Sequence, residues 1–145
     1  MRESSGSPVQ MNEIVVFDSS VLIDNQGTAR HSERVAACRG RIRNCSVVLA
    51  ELWRGVTLPA ERKFLQALEA SRPMLTPTTK NWIESGQMFQ KIRADQGFDP
   101  HKLRNLHFDV LIALTARTHG ARLITCNCDD FELIRGYREF GLEVW

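Results

Sequence analysis

The chain has 145 residues, a length that fits one domain with a substantial core. Its hydrophobic fraction of 43% and charged fraction of 25% are ordinary for a globular protein. The formal charge of +2 excludes a strongly basic nucleic-acid arm, but it leaves room for a local basic surface. No apolar run reaches the length of a membrane span, so a membrane protein is not expected.

The first residues and the cysteines bear on domain limits and compartment. Residues 1–10 are small and polar and have no apolar core of a secretory signal, so we interpret them as a flexible or non-native leader and residues 11–145 as the domain. Four cysteines are too few for a typical disulfide scaffold, which favours a reducing, cytoplasmic location. Cys126 and Cys128 have C-x-C spacing without a second close Cys/His pair, so structural zinc is not expected.

Short apolar runs alternate with helical patterns along the chain. In chain order these patterns predict a strand over 13–17, a short helix after Asp18, a helix over 28–38, a strand over 41–45, a helix over 47–56, a helix beginning at Pro59, a strand over 74–75, helices over 79–94 and 109–119, and strands over 121–125 and 142–145. This alternation predicts an α/β fold: a single-domain α/β/α sandwich with a mainly parallel central sheet of about five strands flanked by helices.

The apolar spacing also predicts which helix faces are buried. In the helix over 28–38, Val35 and Ala36 are expected to face inward. Trp82 lies at an apolar helical position, which indicates the core or a partner interface rather than a base-stacking platform. The helix over 109–119 is apolar nearly all round, so we expect it to be buried, with Asp109 at or near its N-terminus.

Four carboxylates stand at the edges of apolar elements: Asp18, Glu51, Asp109 and Asp130. A buried carboxylate is costly unless it is paired, hydrogen-bonded, neutralised or bound to a metal. Asp18 follows the first strand and Asp130 comes shortly after a later one, and the carboxyl ends of parallel strands share one edge of a sheet. The four acids therefore predict an acidic pocket for a divalent cation, and their hard oxygen ligands favour Mg²⁺ or Mn²⁺.

Each of these acids alone has a simpler explanation. Asp18 and Asp109 could cap helices, because aspartate is a favoured N-cap residue. Glu51 could be a paired or surface-facing helix residue, and Asp130 with its neighbour Asp129 could belong to a turn. Capping explains neither Glu51 nor the common edge, so a metal site is the favoured reading of the set.

Four segments of the chain resemble the PIN-domain nucleases, and within them most closely the VapC-type ribonuclease toxins of toxin–antitoxin pairs. The segments are VFDSSVLID at 16–24, SVVLAELWRG at 46–55, DVLIA at 109–113 and TCNCDDF at 125–131. The likeness runs from about residue 12 to residue 145. It implies a Mg²⁺- or Mn²⁺-dependent endoribonuclease that hydrolyses RNA phosphodiester bonds with metal-activated water, leaving a 5′-phosphate and a 3′-hydroxyl.

The resemblance also implies roles for individual residues. The family's catalytic and metal-binding acids match Asp18, Glu51, Asp109 and Asp130. Asp129 is an extra acid and a further metal candidate, so either Asp129 or Asp130 could face the metal. Phe108 stands where the family often has an asparagine. The family's small polar residue after the first acid is matched by Ser19 and Ser20, and its later polar pair by Thr125 and Asn127.

Basic residues are candidates for RNA contact, because phosphate contacts dominate RNA affinity and make it sensitive to salt. A cluster over residues 30–43 is equally well explained as a solvated charged face. A second cluster leads into Asp109 and is slightly favoured as an RNA surface. The candidate RNA-binding residues are Arg54, Lys102, Arg104 and His107.

The resemblance implies partners as well. They are an RNA substrate, a cognate VapB-like antitoxin that covers the acidic groove, and a second copy in a homodimer, with a hetero-oligomer including the antitoxin as a further possibility. Two other functions stay open: a PIN-domain nuclease of RNA processing outside a toxin–antitoxin pair, and a module that binds RNA or a partner without cutting. The intact acids argue against the last, because concentrated negative charge beside phosphate does not help binding unless a cation neutralises it.

Overall fold

The computed structural model describes residues 8–28 and 31–145. Residues 1–7 of the predicted leader, and Arg30 of the first basic cluster, lie outside the described residues. None of the helices within the described ranges is long and apolar enough to cross a membrane. The elements in chain order are β1 (Ile14–Phe17), α1 (Ser19–Thr28), α2 (Ser32–Ala37), β2 (Arg41–Cys45), α3 (Ser46–Arg54), α4 (Pro59–Ser71), β3 (Met74–Leu75), α5 (Thr79–Gln96), α6 (Pro100–Thr118), β4 (Arg122–Thr125), α7 (Cys128–Tyr137) and β5 (Gly141–Val144).

The strands form one parallel sheet in the order β3-β2-β1-β4-β5, flanked by the helices, which confirms the predicted fold class. From β1 the chain moves outward to β2 and β3, and it then returns to the other side of β1 for β4 and β5. The strand order therefore reverses between β1 and β4, and parallel sheets bind ligands beyond the carboxyl ends of strands at such a point. Phe17 pairs with Ile124 there, which brings Asp18 beside Thr125.

Helix α6 begins earlier than the sequence predicted. Asp99 caps it by accepting a hydrogen bond from the Lys102 backbone N–H at 2.9 Å, and Pro100 occupies the first turn. The second half of α6 is buried from Asp109 to Ala116. Asp109 therefore lies in the middle of the helix, so its predicted place at an N-terminus was wrong and capping does not explain this carboxylate.

One prediction about helix faces was also wrong, and another is narrowed. Ala36 is exposed, because α2 has only six residues and none of them is fully buried. Trp82 is 54% exposed, which excludes the core and leaves a partner interface as the prediction for this side chain. Polar side chains face inward from α5 instead, where the Asn81 amide donates to Thr118 at 2.9 Å and Ser85 pairs with His107 at 3.1 Å. The buried residues of α5 are Asn81, Ser85, Met88 and Ile92.

Candidate metal centre

Three carboxylates from three different elements converge beyond the carboxyl end of β1. Asp18 directly follows β1, Glu51 projects from α3 and Asp109 from α6. One oxygen of each lies within 4.8 Å of the corresponding oxygen of the other two. Asp18 is 3% exposed and Asp109 8% exposed, so water screens their mutual repulsion poorly. Such a group must take up protons or a cation, and its oxygen ligands suit a hard divalent metal.

Two hydroxyl groups hold Asp18 in place. Ser20 Oγ and Thr125 Oγ1 each donate a hydrogen bond to Asp18 Oδ2, both at 2.8 Å. Each hydroxyl also accepts a backbone N–H, Ser20 from Cys126 at 3.0 Å and Thr125 from Asn127 at 2.9 Å. Because those N–H groups orient both hydroxyls toward Oδ2, the loop after β4 fixes the Asp18 carboxylate and directs Oδ1 away from these two donors.

Glu51 carries a buried oxygen that lacks a donor. Its Oε1 atom is shielded from solvent and accepts no hydrogen bond from the described residues. Burial raises the pKa of Glu51 to about 7, with the charge of Asp18 adding to the effect, while Arg54 and a hydrogen bond with Ser19 act in the opposite direction. An unsatisfied buried carboxylate oxygen is costly, and a bound cation would remove that cost.

Asp109 has the most strongly perturbed carboxyl of the cluster. Burial is the largest cause that raises its pKa to about 8; the charges of Asp18, Glu51 and Asp130 contribute to this rise, and Lys102 opposes it. At neutral pH and without a cation, this side chain is therefore mostly protonated. Its position in the buried half of α6 leaves it little freedom to move away from the other acids.

The fourth predicted acid lies beside this cluster. Asp130 Oδ1 accepts a hydrogen bond from Lys102 Nζ at 2.5 Å, and its Oδ2 accepts one from Asn127 Nδ2 at 3.1 Å. Asp130 is half-buried and its charge contributes to the raised pKa of Asp109, whereas Asp129 is exposed on the surface of α7. The structure therefore favours Asp130 over Asp129 as the acid at the site, and its role as a metal ligand stays a prediction.

The candidate RNA-binding residues lie in different environments. Arg54 is exposed at the end of α3, and its guanidinium lies 5.0 Å from the ring centre of Phe108. Arg104 is exposed on α6. His107 is half-buried against Ser85 of α5, where burial lowers its pKa. Of these candidates, Lys102 directly contacts one of the four predicted acids, Asp130.

The substitution Thr125→Val tests the positioning of Asp18. It removes one of the two donors to Oδ2 while keeping the side-chain shape, so we expect Mn²⁺ affinity to fall about tenfold and the free energy of unfolding by about 1 kcal/mol. Titration calorimetry and thermal unfolding would measure the two effects. Thr115→Val is the matched control, because Thr115 is equally buried and its hydroxyl bonds only Leu111 O in the same helix. Equal losses of Mn²⁺ affinity in both variants would contradict the role of Thr125.

Of the two serines matched to the family's polar residue, Ser20 is the closer donor to Asp18, since Ser19 Oγ lies 3.5 Å from Oδ1. The contact between Lys102 and Asp130 was not predicted. The spacing of seven residues between Lys102 and Asp109 was the available signal, because it places both on one face of a helix.

Comparisons with known proteins agree with this geometry. Solved structures with the same fold include VapBC2 from Rickettsia felis bound to a DNA fragment from its promoter, with a TM-score of 0.67, 21% identity, and coverage of 91% of this chain and 98% of that chain. VapBC-1 from nontypeable Haemophilus influenzae matches with the same TM-score and coverage at 20% identity. VapC20 from Mycobacterium tuberculosis, a toxin that cleaves the sarcin–ricin loop, has a TM-score of 0.59 and 17% identity over 82% of this chain and 94% of that chain.

These structural matches establish a shared fold. The family is established separately, by the sequence. No curated protein matches the chain significantly in sequence. The family model described as the PIN domain matches residues 15–136, which include all four predicted acids and every strand except β5 and the first residue of β1. The chain therefore belongs to the PIN domain family, as the sequence motifs indicated.

Proposed function

We propose that this protein is a metal-dependent endoribonuclease and the toxin of a VapC-type toxin–antitoxin pair. The observation that carries the proposal is the convergence of Asp18, Glu51 and Asp109, with ligand oxygens within 4.8 Å of one another at the point where the strand order reverses. Membership of the PIN domain family and the fold shared with VapBC chains support it.

The residues present fit a divalent cation. The donors are all carboxylate oxygens, which suit Mg²⁺ or Mn²⁺ better than a softer metal. The unpaired Oε1 of Glu51 and the raised pKa of Asp109 both indicate that the ionised forms of these acids lack a positive partner among the described residues. A cation among the three carboxylates would satisfy that oxygen and favour the ionised form of each acid.

The chain's own residues would hold the ion, orient its ligands and balance charge at the site. Asp18, Asp109 and Glu51 hold the ion, and Ser20 with Thr125 fixes the orientation of Asp18. When bound, the ion lowers the pKa of a water molecule and neutralises negative charge on the phosphate. The site offers carboxylates rather than a side-chain nucleophile, so water is the expected attacking group and the products carry a 5′-phosphate and a 3′-hydroxyl.

The proposed partner is an antitoxin segment that covers the acidic site. An apolar groove of about 670 Å³ leads away from Glu51 between α3 and α4. Leu58 in this groove is 59% exposed and Ile23 is 54% exposed, which leaves apolar surface for a partner to cover. The other apolar lining residues include Leu52, Val56, Phe64 and Leu65. A homodimer is proposed on the family resemblance alone.

Two alternatives are weighed against the toxin. A nuclease of RNA processing would share the same acidic site, and only the partner distinguishes it. If the protein is a toxin, its expression should arrest growth, and a small neighbouring antitoxin should relieve the arrest. The four free cysteines favour a cytoplasmic location. A binding module without cleavage is disfavoured by the three converging carboxylates, which repel phosphate in the absence of a cation.

Cleavage of a total-RNA extract tests the nuclease directly. We expect wild-type protein with Mg²⁺ or Mn²⁺ to make discrete cuts with 5′-phosphate and 3′-hydroxyl ends, and we expect EDTA to abolish them. The Asp18→Asn variant should be inactive, because it removes a carboxylate from the cluster. Products ending in a 2′,3′-cyclic phosphate, or equal cutting by the variant, would contradict the proposed chemistry.

A further inference from the structure

Lys102 and Asp130 form an ion pair at the edge of the acidic cluster. Lys102 lies two helical turns before Asp109 on α6, so its side chain extends along the same face of the helix. Its Nζ atom lies 2.5 Å from Asp130 Oδ1. The Lys102 side chain is 40% exposed and that of Asp130 is 18% exposed, so the pair sits where the site opens to solvent.

Both oxygens of Asp130 have a hydrogen-bond partner that lies outside the three-carboxylate cluster. Lys102 occupies Oδ1, and the Asn127 amide donates to Oδ2 at 3.1 Å. Among the described residues, the carboxylates close enough to share one ion are Asp18, Glu51 and Asp109, without Asp130. A fourth acid at a metal site would ordinarily help to bind a second ion. Here the fourth acid, Asp130, is already paired with the Lys102 ammonium.

Lys102 is itself held in position. Its backbone N–H is the donor to the cap residue Asp99 at 2.9 Å, and its ammonium lies 5.7 Å from the ring centre of Phe98. The cap fixes the backbone of Lys102 at the start of α6, and the Phe98 ring limits the positions of its ammonium.

We propose that Lys102 takes the place of a second metal ion: its ammonium retains Asp130 outside the cluster, so the site binds one divalent cation through Asp18, Glu51 and Asp109. The inference rests on the proposed metal centre and specifies its stoichiometry. Lys102 acts here as a positioning residue through Asp130. An ordinary surface ion pair at the same place would contribute little to stability and would leave metal stoichiometry unaffected.

Titration of the metal-stripped, full-length protein with Mn²⁺ tests this proposal, with calorimetry giving the stoichiometry and electron paramagnetic resonance reporting coupled ions. We expect wild type to bind one Mn²⁺. Lys102→Gln should release Asp130 and add a second, weaker Mn²⁺ with the spectral broadening of a coupled pair. The double variant Lys102→Gln/Asp130→Asn should return to one ion, and Lys102→Arg, which keeps the positive charge, should also bind one.

The matched control is Lys91→Gln, which removes an exposed lysine of α5 outside the cluster. It should bind one Mn²⁺, as wild type does. Asp130→Asn alone should also bind one ion with affinity within about threefold of wild type, and this result does not depend on the folding of a Lys102 variant. Two Mn²⁺ ions in wild type, or one in a folded Lys102→Gln variant, would overturn the proposal. No Mn²⁺ binding by wild type would refute the metal centre itself, and this inference with it.

Discussion

The variant Asp109→Asn is expected to lose RNA cleavage by about 10³-fold or more, because it removes a carboxylate that would hold the ion and several kcal/mol of charge stabilisation. The same change should make the metal-free protein more stable at about pH 8. Burial and three neighbouring carboxylates disfavour ionised Asp109, and a neutral amide of the same shape escapes that penalty. We expect Tm to rise by about 2–4 °C, which corresponds to about 1 kcal/mol. Cleavage assays and thermal unfolding in EDTA measure the two effects.

The control for this prediction is Asp129→Asn. Asp129 is an acid of the same type on the exposed surface of α7, so the substitution should change neither the activity nor the metal-free Tm appreciably. A drop in both activity and metal-free Tm for Asp109→Asn would mean that this carboxylate stabilises the metal-free fold, whereas we expect it to destabilise that fold. That result would contradict the account of the cluster.

The stability of the metal-free protein should fall as pH rises from about 5 to about 8.5. Burial together with neighbouring carboxylates raises the pKa of Asp109 to about 8 and that of Glu51 to about 7, whereas both acids titrate near pH 4 in an unfolded chain. Between those values the folded state binds more protons than the unfolded state, so the free energy of unfolding decreases with increasing pH. Thermal unfolding in EDTA across this pH range measures the trend.

Magnesium should reverse this loss, and its effect should grow with pH. Mg²⁺ binding requires ionised carboxylates and releases protons, so it is favoured at high pH. A Mg²⁺ concentration about 100 times the Kd at pH 8.5 should raise Tm by about 5–10 °C at that pH. The same concentration should raise Tm by much less near pH 5. The Asp109→Asn variant should show a flatter pH profile and little response to Mg²⁺. A metal-free Tm that rises through this pH range would contradict the burial of ionisable acids at the site.

The sequence predicted best those parts of the site that follow from strand order. Asp18 and Thr125 end neighbouring parallel strands, so their proximity follows from the fold class. Glu51 and Asp109 lie inside helices, where no local pattern indicates which turn faces the sheet edge. Their grouping with Asp18 was predicted from their places at the edges of apolar elements and from the family resemblance, and the structure brings the three acids together.

The errors have physical reasons. The start of α6 was missed because Asp99 and Pro100 are the true start signal, and the polar first half of the helix hid its continuity with the buried second half. Trp82 lies outside the core because Asn81 and Ser85 face α6 in its place, where hydrogen bonds satisfy them. Helical spacing indicates that Lys102 and Asp109 share a face of α6, but the contact of Lys102 with Asp130, 28 positions away, depends on side-chain orientation, which periodicity does not report.

The measurement that tests the central claim most directly is anomalous diffraction from crystals of the full-length protein soaked in Mn²⁺. We predict a manganese peak about 2.0–2.5 Å from an oxygen of each of Asp18, Glu51 and Asp109, and its absence in crystals of Asp109→Asn. A wild-type crystal with manganese elsewhere, or with none at these three carboxylates, would contradict the metal centre and with it the proposed nuclease.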